Sequence, residues 1–146
     1  MATDLFSRPA ANGPVRPWDY VRMCREAAGL TIAQAAKPHW HNPEHRADVE
    51  RITAEIERPG VILRKDYLVD GIRRSLPAFD PDLYRTLRDE PADRHPSICR
   101  GCGCTPWNPS VTFAGLESSI GPDLICSACE ERAERDARRP ARRMAA

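Results

Sequence analysis

Apolar residues recur at helical spacing in the first part of the chain, beginning near residue 18. Val21, Cys24 and Ala28 fall on one face of a helix, and Cys24 is expected to pack there as a small buried apolar residue. Asp19 is the expected N-cap of this helix. Gly29 fits the left-handed position that ends many helices. The pattern therefore predicts a first helix between Asp19 and Gly29.

A second helix is predicted immediately after this glycine. Thr31 and Gln34 have the spacing of a capping box, in which each side chain accepts a backbone N–H of the other residue. Pro38 ends the segment. Two helices joined by a Gly-Leu-Thr turn are typical of a helix-turn-helix motif.

Three further helices complete the predicted bundle. The third has Asn42 as its N-cap, Pro43 at its first position, and ends before Pro59. The fourth spans residues 63–76, and the fifth begins at Asp80. The apolar positions expected to face inward are Val49, Ile52, Ile56, Leu68, Ile72, Leu76, Leu83, Tyr84 and Leu87.

The outer face of the third helix carries arginines and small residues. Arg51 and Arg58 alternate there with Ala47 and Ala54, so the face is able to approach a DNA major groove. Solvated arginines are common on helices, and two acids that repel phosphate flank this face, Glu50 and Glu55. The residues expected to contact DNA are Arg46, Arg51, Arg58, Arg64, Lys65, Arg138, Arg139, Arg142 and Arg143.

Two Cys-x-x-Cys pairs dominate the remainder of the chain. Cys99 and Cys102 are separated by 23 residues from Cys126 and Cys129, a spacing close to that of structural zinc sites. The four cysteines are predicted to bind Zn²⁺ as a structural ion, with Cys104 as a non-ligand. Between the pairs, residues 110–115 and 123–125 are expected to form two short strands of a zinc ribbon. Its expected minimal core is Trp107 or Phe113.

Local sequence around the cysteines supports this site. Gly103 is expected to let the backbone turn so that amides point at sulfur. The charged run after Cys129 predicts a helix whose first N–H groups stabilise the thiolates. His95 is a weaker alternative ligand. The group of His39, His41 and His45 has no acidic or cysteine partner at convincing spacing, so we interpret it as loop and capping residues or a contact surface.

Composition narrows the class of protein. The chain has 146 residues, 14 prolines, 41% hydrophobic residues and a formal net charge of +1, so DNA binding requires a local basic patch rather than overall charge. No apolar run reaches the ~20 residues that span a bilayer, and the expected location is cytoplasmic, without membrane contact. We divide the chain into a flexible arm (1–17), a helical domain (18–90), a linker (91–97), a zinc ribbon (98–132) and a basic tail (133–146).

The N-terminal part resembles a known family. The segments "RMCREAAGLTIAQAA", "ITAEIERPG" and "FDPDLYRTL" resemble the helix-turn-helix domain of phage repressor and Cro-type regulators, which implies a repressor-like bundle, DNA binding and a homodimer. The chain departs from that pattern at Ile32, at Pro59 and in an inserted "HWHNPEH". The cysteine segment resembles a module of phage-encoded proteins that often has a further cysteine near the position of Ser110.

These observations favour one function and leave a second open. The fold class expected is mainly α, with a helix-turn-helix bundle of about five helices and a C-terminal four-cysteine zinc ribbon. The first hypothesis is a zinc-containing DNA-binding protein, a phage or prophage transcriptional regulator acting on double-stranded DNA. The second is an adaptor or inhibitor that binds a host or phage protein. An enzyme is not expected, because four thiolates close the zinc coordination shell.

Overall fold

The computed structural model describes residues 13–140, which form two compact units divided at Pro96. We call residues 13–96 the helical unit and residues 97–140 the cysteine unit. The described chain is mainly helical, as predicted. Its α-helices are α1 (Pro17–Ala27), α2 (Ile32–Ala36), α3 (Arg46–Glu55), α4 (Asp66–Gly71), α5 (Pro81–Asp89) and α6 (Ser127–Arg138). Short 3-10 turns occupy Lys37–His39, Pro43–His45, Ile72–Arg74 and Ala92–Arg94.

The start of α1 differs from the prediction. The helix begins at Pro17, and Asp19 is its third residue rather than its N-cap. The Asp19 carboxylate accepts the backbone N–H of Arg16 at 3.3 Å. Val15 and Pro17 are buried, so these two residues of the predicted flexible arm pack into the helical unit. Residues 1–12 of that arm lie outside the described residues.

The turn between α1 and α2 has the predicted chemistry. Gly29 adopts a positive φ of 71°, and the backbone N–H of Leu30 donates to the carbonyl of Arg25. Thr31 Oγ1 accepts the N–H of Gln34, and the Gln34 side chain accepts the N–H of Thr31. The capping box is therefore present, although α2 is only five residues long.

The buried face of α3 is rotated from its predicted position. Ile52 is 50% exposed, and Val49 and Ile56 are half-buried. Thr53 and Ile56 instead line a small internal cavity together with Glu57. Positions 49, 53, 56 and 57 share a helical stripe, whereas residue 52 is turned by about 100° from residue 53.

A similar shift occurs in the fourth helix. It begins at Asp66 rather than residue 63, and Leu68 is 43% exposed. Val69 is fully buried, together with the predicted Ile72 and Leu76. The helix also ends earlier than the predicted residue 76, since α4 stops at Gly71 and a 3-10 turn occupies Ile72–Arg74. Leu76 is therefore buried beyond the end of the helix.

Aromatic packing holds the helical unit together. The ring of Phe79 lies 5.1 Å from that of Tyr20 and 5.9 Å from that of Tyr84. All three residues are at most 1% exposed. The hydroxyl groups of Tyr20 and Tyr84 accept the backbone N–H groups of Asp80 and Leu63, both at 2.9 Å. This core fixes α5, whose predicted N-cap Asp80 accepts the N–H groups of the first turn.

One buried ion pair joins α1 to the segment that follows α3. Arg25 Nε lies 2.9 Å from both carboxylate oxygens of Glu57, and Arg25 also donates to the carbonyl of Leu30. The pair lies at the cavity of about 40 Å³ lined in part by His39 and Ser75. Within residues 13–96, Glu57 and Asp19 are the buried charged side chains, and both have an arginine partner.

Candidate metal centre

Four sulfur atoms meet in the cysteine unit. The Sγ atoms of Cys99, Cys102, Cys126 and Cys129 all lie within 4.8 Å of one another. The Sγ separations are 3.7 Å for Cys99–Cys129 and 3.7 Å for Cys102–Cys126. A tetrahedral zinc with Zn–S bonds of about 2.3 Å requires sulfurs about 3.8 Å apart. The geometry therefore fits a tetrahedral metal held by the four predicted cysteines.

The first cysteine pair lies in a tight turn. The backbone N–H of Gly101 points at Cys99 Sγ at 3.4 Å, and Gly103 donates to the carbonyl of Cys99 at 2.8 Å. Gly103 has φ 80°, a left-handed conformation that favours glycine. The N–H of Cys99 donates to the carbonyl of Cys104, which closes the turn.

The second cysteine pair begins a helix. Cys126 is the N-cap of α6 and Cys129 lies in its first turn, so the helix starts between the two cysteines rather than after Cys129. The N–H of Cys126 donates to Cys99 Sγ at 3.2 Å. This hydrogen bond joins the two pairs. The helix N–H groups were expected to stabilise the thiolates of Cys126 and Cys129, whereas this acceptor is the sulfur of Cys99.

The segment between the pairs contains turns instead of the two predicted strands. Within residues 97–140 the only antiparallel pairings are isolated bridges, Thr105 with Asn108, Val111 with Glu117, and Ile120 with Cys126. The chain reverses at residues 112–115 and 121–124. The segment between the two cysteine pairs is therefore made of short loops.

The interior of the cysteine unit is formed by the sulfur site itself. Cys99, Cys126 and Ala128 are its buried cluster, packed by Ile120 and the other cysteines. Trp107 and Phe113, predicted as a minimal core, are 59% and 57% exposed. The Phe113 ring instead packs under the guanidinium of Arg135 at 3.2 Å. The space that an apolar core would fill is occupied by thiol groups.

Gly101 has a role that its place in the sequence does not reveal. A Cβ at this position would lie 2.9 Å from Cys129 Sγ and 3.7 Å from Cys99 Sγ. A side chain would therefore displace the sulfur of Cys129 from the cluster. The signal in the sequence is a glycine inside the Cys-x-x-Cys turn, but only the folded chain shows that the opposing cysteine contacts it.

Three side chains contact or approach the cysteines from outside the ligand set. Ser110 Oγ lies 3.3 Å from Cys102 Sγ, and Arg132 Nη2 donates to Cys129 Sγ at 3.1 Å. Cys104 Sγ lies 3.9 Å from Ser118 Oγ and is not one of the four clustered sulfurs. The structure thus groups the predicted ligands and leaves Cys104 beside them.

Hydrogen bonding favours a thiolate at Cys99. The side chain of Cys102 and then the backbone N–H groups of Cys126 and Gly101 lower the pKa of the Cys99 thiol, against the effect of burial. Burial raises the pKa of Cys129 to about 11. Metal binding must therefore remove protons from the remaining thiols, which makes affinity depend on pH.

The histidines lie apart from this centre. His39 Nε2 is 3.3 Å from Ser75 Oγ, and burial followed by the charge of Arg74 lowers the pKa of His39. His41 and His45 are exposed. His95, the alternative ligand, has its Nε2 2.8 Å from the carbonyl of Glu90. In residues 13–140 the four cysteines form the single cluster of three or more metal-ligating side chains.

The predicted DNA contacts differ in their surroundings. Arg46 pairs with Glu50 at 2.8 Å and Arg51 with Glu55 at 3.2 Å, so acids on α3 partly neutralise both arginines. Within the described residues, five of the exposed candidates have no ion pair: Arg58, Arg64, Lys65, Arg138 and Arg139. Lys65 Nζ lies 5.9 Å from the centre of the Tyr67 ring. Arg142 and Arg143 lie outside the described residues.

Comparison with known proteins gives no identification. The chain matches no protein-family model, no curated protein and no solved structure. In the described part of the chain, none of the helices has both the length and the apolar character needed to cross a membrane.

Proposed function

We propose that the cysteine unit binds one Zn²⁺ as a structural ion. The observation that supports it is the meeting of four sulfurs within 4.8 Å of one another, with separations of 3.7 Å in two of the pairs. Four thiolates complete the coordination shell and leave no position for a substrate or water. With so few buried apolar side chains in this unit, the metal supplies the folding energy that the core lacks.

We further propose that the helical unit binds double-stranded DNA, as a transcriptional regulator of the repressor type does. Support comes from the capped α1–turn–α2 arrangement and from the outer face of α3. Ala47, Arg51, Ala54 and Arg58 are all exposed on that helix or at its end. This face combines cationic side chains with small ones, as entry into a major groove requires.

Salt-dependent fluorescence anisotropy tests the DNA proposal. Zinc-loaded protein is titrated onto random duplex DNA from about 50 to 300 mM salt, over which phosphate contacts weaken measurably. Arg51→Ala is expected to weaken binding by about 1–3 kcal/mol. Arg94→Ala is the matched control, because Arg94 is also an exposed arginine in an i,i+4 pair, with Glu90 at 3.4 Å. Absence of binding at the lowest salt would contradict the proposal.

A second candidate function is binding to another protein. The pairing of Arg46 and Arg51 with acids favours it, as do four large apolar side chains in the cysteine unit that are each more than half exposed: Trp107, Val111, Phe113 and Leu116. Exposed apolar groups of this kind are typical of protein contact surfaces. If this is the function, the protein does not bind DNA. A double variant, Trp107→Ala with Phe113→Ala, should lose a protein partner that is captured by chemical cross-linking, and Arg51→Ala should retain that partner.

A further inference from the structure

Arg132 contacts the candidate metal centre without belonging to it. Its Nη2 donates to Cys129 Sγ at 3.1 Å, and its Nε donates to the carbonyl of Ala128 at 3.4 Å. The second contact orients the guanidinium along the first turns of α6. A cation is thus held against one sulfur of the cluster by the same helix that carries that sulfur.

The charge of the loaded site explains why this contact matters. Four thiolates around one Zn²⁺ leave an excess of negative charge. Other polar contacts to the four clustered sulfurs come from uncharged groups. They are backbone N–H groups, the hydroxyl of Ser110 and the cysteine thiols themselves; the N–H groups belong to Gly101, Cys102, Cys104 and Cys126. A guanidinium offers a charge-assisted hydrogen bond, which is about twice as strong as a neutral one.

Helical register makes the contact inherent to the fold. Arg132 follows Cys129 by three residues in α6, and residues three apart lie on the same helical face. The guanidinium is therefore placed over the Cys129 sulfur by the helix backbone, without help from a distant segment. The neighbouring arginines of α6 are placed differently, since Arg135 packs on the Phe113 ring.

We propose that Arg132 is a positioning residue that retains the metal by neutralising and orienting the Cys129 thiolate. The inference rests on the proposed zinc site. Outer contacts of this kind typically change metal affinity by about 10- to 100-fold. Because Arg132 is exposed, solvent screening places the expected loss for Arg132→Ala near the lower end of that range.

Competition with a chromogenic zinc chelator at fixed pH tests the proposal. Arg132→Ala is expected to bind Zn²⁺ about tenfold more weakly, and the difference should shrink as salt is raised. Arg132→Lys, which keeps the charge, should restore most of the affinity. Arg138→Ala is the matched control on the same helix and should bind zinc like the wild type. Alanine favours helices, so helix loss does not account for the effect, and circular dichroism verifies this.

A spectroscopic measurement separates a direct contact from general destabilisation. With Co²⁺ in place of Zn²⁺, loss of a hydrogen bond to a thiolate shifts the sulfur-to-metal charge-transfer band to longer wavelength, because the sulfur electrons are less stabilised. Arg132→Ala should show this shift and Arg138→Ala should not. Unchanged zinc affinity and an unshifted band in Arg132→Ala would overturn the inference. Failure of the wild-type protein to bind zinc would instead contradict the proposed metal site itself.

Discussion

The helical unit and the cysteine unit are stabilised by different means. In the helical unit, Tyr20, Phe79 and Tyr84 form a buried aromatic interior, in which Phe79 stacks on Tyr20 and is tilted against Tyr84. In the cysteine unit, the buried cluster is Cys99, Cys126 and Ala128, while large apolar side chains remain exposed. Apolar burial and metal coordination are therefore two different ways to stabilise the fold of a short chain, and a different kind of substitution should unfold each unit.

The largest effect is expected from removing a metal ligand. Cys126→Ser should abolish zinc binding and unfold the cysteine unit, because a structural zinc contributes about 10–16 kcal/mol of apparent binding energy. The helical unit should still melt cooperatively, as its core contains none of the ligands. Zinc stoichiometry and amide hydrogen exchange measure the two outcomes. Cys104→Ser is the matched control and should retain zinc. Loss of both units in Cys126→Ser would contradict their independence.

Thiol reactivity should distinguish the six cysteines by their environment. Burial raises the pKa of Cys24 to about 12, from an ordinary value of 9.0. Its thiolate fraction at pH 8 is therefore about a thousandfold lower than that of a free thiol, and the thiolate is the reactive form. Iodoacetamide should modify Cys104 in the zinc-loaded protein, the four ligands after chelation, and Cys24 only after denaturation. Mass spectrometry counts the modified sites.

Protection of Cys104 in the loaded protein, with one of the four clustered cysteines modified instead, would show that the ligand set is wrong. Fast modification of Cys24 in the folded protein would show that α1 opens readily. The order of modification therefore tests the burial of one unit and the coordination of the other in a single experiment.

A core truncation should affect the helical unit alone. Phe79→Ala removes a ring that is 1% exposed and contacts two others, so the free energy of unfolding should fall by about 3–5 kcal/mol. Zinc affinity should remain unchanged. Urea denaturation followed by circular dichroism measures the first quantity and chelator competition the second. Phe113→Ala is the matched control, because that ring is exposed and its loss should cost far less.

The smallest effect is expected at a strained turn of the cysteine unit. Leu124 has φ 60°, a left-handed conformation that costs a residue other than glycine roughly 1–2 kcal/mol. Leu124→Gly should raise the free energy of unfolding of the zinc-loaded cysteine unit by at most about 1 kcal/mol, because the half-buried side chain is lost as well as the strain. The measurement is the thermal midpoint of this unit, which should rise. A lower midpoint would mean that the leucine side chain contributes more than the backbone strain removes.

Local rules predicted many features of this fold from the sequence. The Thr31–Gln34 capping box, the N-cap at Asp80 and the positive φ of Gly103 each involve residues within one turn of each other. The N-cap predicted at Asp19 was wrong by three residues, since the helix has Arg16 as its N-cap. Pro17 is a favourable first helical position and allows the earlier start. The residue at which a helix begins depends on a small difference in free energy between neighbouring residues that could each serve as its N-cap.

Predictions that required knowledge of packing were less successful. Ile52 and Leu68 fit helical stripes in the sequence but are exposed, while Val69 is buried. Periodicity gives the width of an apolar face, whereas its exact rotation depends on which neighbouring helix covers it. For the same reason Trp107 and Phe113, the largest apolar residues near the cysteines, were wrongly placed in a core that the sulfur atoms occupy.

By itself, the sequence determined the two units, the helical composition of the first and the four clustered cysteines of the second, since each follows from spacing along the chain. Only the tertiary structure revealed that Gly101 touches Cys129, that Arg132 donates to the same sulfur, and that Arg46 and Arg51 are paired with acids. Contacts between side chains depend on distance in space and on rotamers, and spacing in sequence constrains these only within a helical turn.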